Sequence, residues 1–395
     1  MKMRFIKKLI ALLSCCSLLF LLVSCSQAKI TANIEQNAEN YIFDEDYQNY
    51  FSPLSSIAKT EDGYFFLSGS YLFFYDVKGQ EAYPFCNKVN CDHNDSRCSA
   101  YISPLQFYMG TDIYYYDKAL YMLGHEKSDN TSDSIYIYQI SLENGKQRKA
   151  AYLFDSTVGV SITCILHRGY VYFANGGGEM KESEAFLCRT KLGELNSDAV
   201  EVIYSFKGIG VNIGNLNAYG NNILFNTYSY SDIQGNGYKK DTNYINIHSL
   251  ETETIHNNDY SRFSVDNKIY YFKDEKNVLC YDMASKSTDM FCEINGPCYI
   301  SADSNYIYFD NLQSVIVGIT DKKDRKIFVY DKRGNYITSI APKSQDDECF
   351  FGGDDIMIFK EAVAGEEIES DGSHGYYVFD KSQLTSSDKQ FIDME

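Results

Sequence analysis

The chain has 395 residues, with 36 basic and 54 acidic side chains and a net charge of −18 at pH 7. So acidic a body lacks the clustered lysine and arginine that phosphate binding requires, which argues against a nucleic-acid partner. There is no tryptophan, but 35 tyrosines and 25 phenylalanines recur over more sequence than one ordinary domain needs, and this directs the reading toward internal repeats.

The chain begins with Lys2, Arg4, Lys7 and Lys8, followed by a mostly apolar run from Leu9 to Val23. A basic head and a short apolar run make a secretory signal, and about 15 residues fall short of the roughly 20 that a spanning helix needs. Leu22-Val23-Ser24-Cys25 closes the run and resembles the bacterial lipobox. That resemblance implies a diacylglyceryl lipid on Cys25, cleavage after residue 24, and a location on the outward side of the cell membrane. Leu12-Leu13-Ser14-Cys15 also fits, but leaves almost no apolar segment ahead of it. Removing the four leader cations leaves 32 basic against 54 acidic side chains, a net charge of −22. Residues 25–60, polar and rich in Asn, Gln and Glu, read as a tether, and 61–395 as the folded domain.

Within 61–395 a turn followed by an aromatic strand occurs seven times: before Tyr64, Leu120, Tyr170, Ile223, Ile269, Tyr306 and Ile356. A second apolar strand follows each, beginning near Tyr71, Ile135, Phe186, Tyr244, Val278, Ile327 and Tyr376. Gly, Asn and Asp in the turns suit tight hairpins, because they tolerate positive φ. Successive apolar residues, as in Ile269-Tyr270-Tyr271-Phe272, require strands buried on both faces. The spacing predicts an all-β chain, a β-propeller of seven four-stranded blades, with six or eight as the alternatives. Stretches such as Ile113-Tyr114-Tyr115-Tyr116-Asp117 and Tyr306-Ile307-Tyr308-Phe309-Asp310 resemble strands of low-density-lipoprotein-receptor-type propellers. The arrangement is also similar to that of uncharacterised surface lipoproteins of Gram-positive anaerobes. The likeness implies a fold and a location but no catalytic residues.

If the paired elements are the second and third strands of each blade, their connections and those between blades leave one face. Long loops are expected there at 125–133, 175–184, 227–243, 311–326 and 361–375, with short turns such as Asn144-Gly145 on the opposite face. Loops aimed by a rigid scaffold carry function. Candidate ligand contacts are His125, Asn175, Tyr228, Tyr230, Asp232, Tyr238, Asp371 and His374, with the tyrosines as stacking groups for a glycan, peptide or protein. Cys86, Cys91, His93 and Cys98, in the connection after the first blade, offer a zinc ligand set, a disulfide or unpaired thiols. Cys280 and Cys292 flank a turn and are expected to face each other, while Cys164 and Cys188 are read as packed in strands.

No nucleophile elbow, zinc-protease helix or phosphate loop occurs. Gly208-Ile209-Gly210-Val211-Asn212-Ile213-Gly214 leads into a strand and reads as a blade junction. Asp232, Asp241, Glu366, Glu367, Glu369 and Asp371 are acidic groups available for glycosidic chemistry. The leading expectation is a non-catalytic binding module. The alternatives are a hydrolase or lyase acting on a glycan at the same face, or a scaffold at the membrane surface.

Overall fold

The computed structural model describes residues 41–47, 57–103, 106–107, 112–127, 132–157, 162–255, 262–351, 353–361 and 375–394. Cys25, the leader, and most of 361–375, with Glu366, Glu367, Glu369, Asp371 and His374, lie outside the described residues. No described helix is long and apolar enough to cross a membrane.

The described chain is antiparallel sheet almost throughout. The first sheet holds β1 (Ile57–Lys59), β2 (Gly63–Ser68), β3 (Tyr71–Asp76) and β4 (Glu81–Pro84), in that order. The second holds β5 (Ile113–Tyr116), β6 (Ala119–Lys127), β7 (Ser132–Ser141) and β8 (Gln147–Thr157). The third has seven strands: β9 (Cys164–His167), β10 (Tyr170–Gly176), β11 (Glu182–Lys191), β12 (Glu201–Tyr219), β13 (Asn222–Tyr230), β14 (Lys239–Asn246) and β15 (Thr252–Ile255). Four-stranded sheets follow. The fourth holds β16 (Arg262–Val265), β17 (Lys268–Phe272), β18 (Asn277–Asp282) and β19 (Ser287–Glu293); the fifth holds β20 (Tyr299–Ala302), β21 (Tyr306–Asp310), β22 (Ile327–Asp331) and β23 (Tyr336–Ile340). The sixth holds β24 (Glu348–Phe351), β25 (Ile356–Lys360), β26 (Tyr376–Asp380) and β27 (Phe391–Met394).

The aromatic repeats fall on second and third strands, β2 and β3, β6 and β7, and so on through β25 and β26. Burial explains why these strands read so plainly. Val171, Tyr172 and Phe173 in β10, and Ile307, Tyr308 and Phe309 in β21, are each fully buried on successive residues. Consecutive sheets pack through these faces: Phe65 and Leu72 of the first with Ile113 and Leu120 of the second, and Leu224 and Tyr244 with Ile269 and Tyr271. The first sheet also packs on the last, through Ile57, Tyr64 and Phe66 against Ile356, Ile358 and Val378. The hairpins supply the required backbone: Asp117-Lys118, Arg168-Gly169 and Asp266-Asn267 all have positive φ at both central residues, the condition for a two-residue turn matched to strand twist.

The expected tether, residues 25–60, is in part folded body. Residues 57–59 are β1, and 41–47 are seated on the turns between first and second strands. Asp46, 4% exposed, meets the fully buried Arg168 at 2.5 Å, and the Arg168 amide donates to the Glu45 carbonyl at 2.7 Å. Arg168 continues to Asn221 at 2.7 Å, linking the β9–β10 and β12–β13 turns. Phe43 and Tyr47 lie against Tyr115 and Tyr114, with ring centroids 5.9 and 6.2 Å apart.

His167 completes this junction. Its Nδ1 accepts the Tyr47 amide at 3.0 Å, so the ring proton must sit on Nε2, which donates to the Gly220 carbonyl at 2.8 Å. Burial holds its pKa below the ordinary value of about 6.5, so the ring is neutral at pH 7.

Candidate metal centre and ligand pocket

Among its described residues, the connection from Phe85 to Asp112 contains no strand, only bridges such as Tyr71 with Tyr101 and Phe107 with Gly124. Backbone bonds such as Leu72 N–H to the Ala100 carbonyl and Ile102 N–H to the Ser70 carbonyl tie it to the first sheet. Side chains converge within it: ligand atoms of Cys86, Cys91, His93 and Cys98 all lie within 4.8 Å of one another. Four atoms bound about 2.3 Å from one tetrahedral ion stand about 3.8 Å apart, so the group needs to contract by less than about an ångström. His93 Nδ1 is already 3.3 Å from Cys98 Sγ.

Asn90 and His93 both take positive φ, 57° and 53°, which gives the connection its tight turns at residue types that tolerate that conformation. Burial raises the Cys86 pKa, but the Ser99 hydroxyl at 3.2 Å and the amides of Lys88 and Ser99 outweigh it and bring the thiol down to about 6. Cys98 receives the Ala100 amide at 3.4 Å, yet burial pushes its thiol up to about 12. One thiolate beside a protonated thiol is what three converging sulfurs give without a cation, and a divalent ion displaces the remaining protons. A disulfide would use two sulfurs and leave the imidazole unexplained. Four protein ligands close a tetrahedron, which is the pattern of structural zinc.

Cys86 lies beside the next sheet: Phe85, Cys86, Asn87 and Ser99 line a small cavity with Leu142, Glu143, Asn144 and Gly145 of the β7–β8 hairpin turn. Elsewhere no disulfide joins the described cysteines. Cys292 pairs across the ladder with Val278, and Cys280 with Asp289, so the two lie at different levels of the hairpin. The expected pairing of Cys280 and Cys292 is thereby overturned. Cys164 and Cys188 both oppose Phe173 from its two sides, and burial pushes their thiols up to about 12 and about 11.

Three of the long loops, 125–133, 175–184 and 227–243, are shorter than expected because their strands run on, while the strand limits on either side of 311–326 and 361–375 are as expected. His125 pairs with Ile135 inside the β6–β7 ladder and holds Asp133 at 3.1 Å. Thr227 to Ser229 pair with Asp241 to Lys239, leaving a turn at 231–238 in which Asp232 accepts the Gln234 and Asn236 amides at 3.0 Å. Asp241 pairs with Lys239 at 2.7 Å. Both carboxylates make contacts within their own hairpin. The 311–326 connection folds into α1 (Leu312–Ile316) and a single turn at Lys322–Asp324.

Two of the candidate contacts are brought together. A cavity of about 290 Å³ is lined by Phe154, Thr163, Ala174, Asn175, Gly176, Asn212, Ile213, Gly214, Asn215 and Tyr228. It lies at the strand ends from which the β10–β11 and β13–β14 connections leave. Tyr230 and Tyr238 adjoin it: Tyr238 stacks on Tyr228 at 6.3 Å and meets Tyr230 at 5.5 Å. The glycine-rich stretch runs unbroken from the β11 partner to the β13 partner as β12, with irregular register between Ile209 and Asn212 and between Gly214 and Asn217. Asn212 and Asn215 escaped the sequence reading, which took this stretch only as a junction. Their alternation with glycine in a strand that changes partners was the available signal.

No family model and no curated protein matches the chain. Solved structures do. The β-propeller domain of the Trilobed protease from Pyrococcus furiosus is 12% identical over 72% of this chain and 83% of that one, with a TM-score of 0.45. Oligogalacturonate lyase from Vibrio parahaemolyticus is 11% identical over 69% and 74%, with a TM-score of 0.45. BamB from Moraxella catarrhalis is 8% identical over 82% and 84%, with a TM-score of 0.42. At these identities and TM-scores the likenesses carry no argument about this chain, whose all-β architecture of repeated sheets stands on its own strands.

Proposed function

We propose that the protein is a lipid-anchored, outward-facing β-propeller that binds its ligand without catalysis. In this reading the seven-stranded sheet is two blades sharing β12, which makes seven blades, and the contact of the first sheet with the last closes the ring. Cys25 carries the lipid, and the family likeness to surface lipoproteins points the same way. The observation that carries the proposal is the seat of residues 41–47 on the turns between first and second strands. Residues 41–47 meet β10 and β13 at the ends where those strands begin, which leaves their far ends, with the cavity between them, free of that segment. The closed ligand set at Cys86, Cys91, His93 and Cys98 supports a structural zinc that pins the first long connection.

A carboxylate-based hydrolase finds less support, since Asp232 and Asp241 are engaged within their own hairpin. The test is replacement of residues 231–238 by a short turn in the full chain. Binding to cell-wall polysaccharide or host-glycan panels is expected to fall while thermal unfolding is preserved. Unchanged binding would refute the siting.

A further inference from the structure

We infer that the cavity between β10, β12 and β13 is a subsite for one uncharged sugar ring. The inference rests on the binding-module reading and names the ligand class of that site. The first argument is charge. The ten described lining residues include no Asp, Glu, Lys, Arg or His. Among them a phosphate or carboxylate finds no cation, in a chain already strongly acidic, and a metal ion or amine finds no carboxylate.

The second argument is the kind of polarity present. Asn175, Asn212 and Asn215 each bring a donor and an acceptor on one planar group, which suits neighbouring hydroxyls that also donate and accept. Asn212 uses its Oδ1 on the Ile213 amide at 2.8 Å, which fixes the side chain and directs its NH₂ as a donor. The Tyr228 ring supplies the flat apolar surface against which the C–H face of a pyranose packs. The volume is at the lower edge of small-molecule sites, on the scale of a single ring rather than of an extended peptide.

The third argument is that the wall is held rigid by a polar network that packing alone does not call for. Asn226, fully buried, donates to the Tyr228 hydroxyl at 3.1 Å and accepts from Thr242 at 3.1 Å. Behind it, Asn243 donates to Thr227 at 3.1 Å and accepts from Thr254 at 2.7 Å. Buried amides and hydroxyls cost more than apolar residues of the same shape unless their bonds are complete. Their use here fixes one aromatic ring at the cavity edge, which is how a first contact is preorganised. The bulged register of β12 turns 212–215 toward the same space.

The experiment titrates the full lipidated chain in detergent with N-acetylglucosamine, galactose, galacturonate and a tripeptide, read by calorimetry and saturation-transfer NMR. At least one neutral sugar is expected to bind, and Asn175→Ala and Tyr228→Ala/Asn212→Ala variants to weaken it about tenfold, with the unfolding midpoint little changed for the half-buried Asn175→Ala. Preference for galacturonate or the tripeptide, or equal affinity in Asn175→Ala and the double variant, overturns the subsite. If neutral sugars fail but polysaccharide panels still bind through 231–238, the subsite falls and the binding module stands. If neither binds, both fall.

Discussion

Removing Asp46 should unhinge the N-terminal segment from the sheets. Arg168 has no exposed surface, and its guanidinium is held by Asp46 through Nε at 2.5 Å and Nη2 at 3.3 Å, and also meets Asn221 at 2.7 Å. Truncating one partner of a buried pair leaves an uncompensated charge, a loss of about 3–5 kcal/mol. Asp46→Ala also frees the Ile42 amide, which the same carboxylate accepts at 2.6 Å. Arg168→Ala should cost a comparable amount. The double variant should cost less than the sum by about 2 kcal/mol or more, because the second removal takes away a charge already orphaned. Urea unfolding followed by tyrosine fluorescence and by circular dichroism measures all four corners of the cycle. A cost under about 1 kcal/mol for Asp46→Ala, or additive single variants, would show that residues 41–47 rest on the sheets without being fixed to them.

Three further outcomes follow. His167 is neutral when folded and its pKa lies below the ordinary 6.5, so between its folded pKa and about 6.5 the unfolded chain binds more protons. Stability should be level above about pH 6.5 and decline as the pH falls below it, and His167→Gln should flatten that slope; an unchanged slope contradicts the assignment. Gly177 has φ of 75°, and an added Cβ would lie 2.3 Å from the Val211 carbonyl oxygen. Gly177→Ala should therefore destabilise by about 1–2 kcal/mol from the left-handed conformation alone, with more from the clash, whereas Gly178, which meets nothing within 4 Å, should show only the conformational part. Elemental analysis of protein prepared with zinc should find about one ion per chain, lost in Cys91→Ser together with protease resistance of residues 85–103. Thiol titration showing two of the three sulfurs oxidised to each other would replace the metal with a disulfide.

The inner strands were legible because burial on both faces leaves an unbroken aromatic run, as in β10 and β21. Outer strands were not: Ser287 to Met290 in β19 are exposed, so nothing in their composition distinguishes them from loop. The junction within β12 was found, but its asparagines were passed over because a strand shared by two neighbours has no turn to mark it. The seat of residues 41–47 was invisible, since Asp44, Glu45 and Asp46 read as solvated tether until a partner 122 positions away is known. The four ligands at residues 86–98 were legible from residue type alone. The Leu142–Gly145 turn of the next sheet beside Cys86 was not, because only tertiary packing brings it there. The extra strand length at His125 and Thr227 was missed because polar residues there pair across the ladder while largely covered, and polar composition reads as loop.

The most direct test of the account is epitope access on intact cells. With a short tag inserted after Ile233, in the 231–238 turn, antibody should bind whole cells expressing the full chain, and Cys25→Ser should move the tagged protein into the medium. A tag reached only after lysis, or protein that stays with the cells when Cys25 is replaced, would contradict an outward-facing, lipid-anchored binding module.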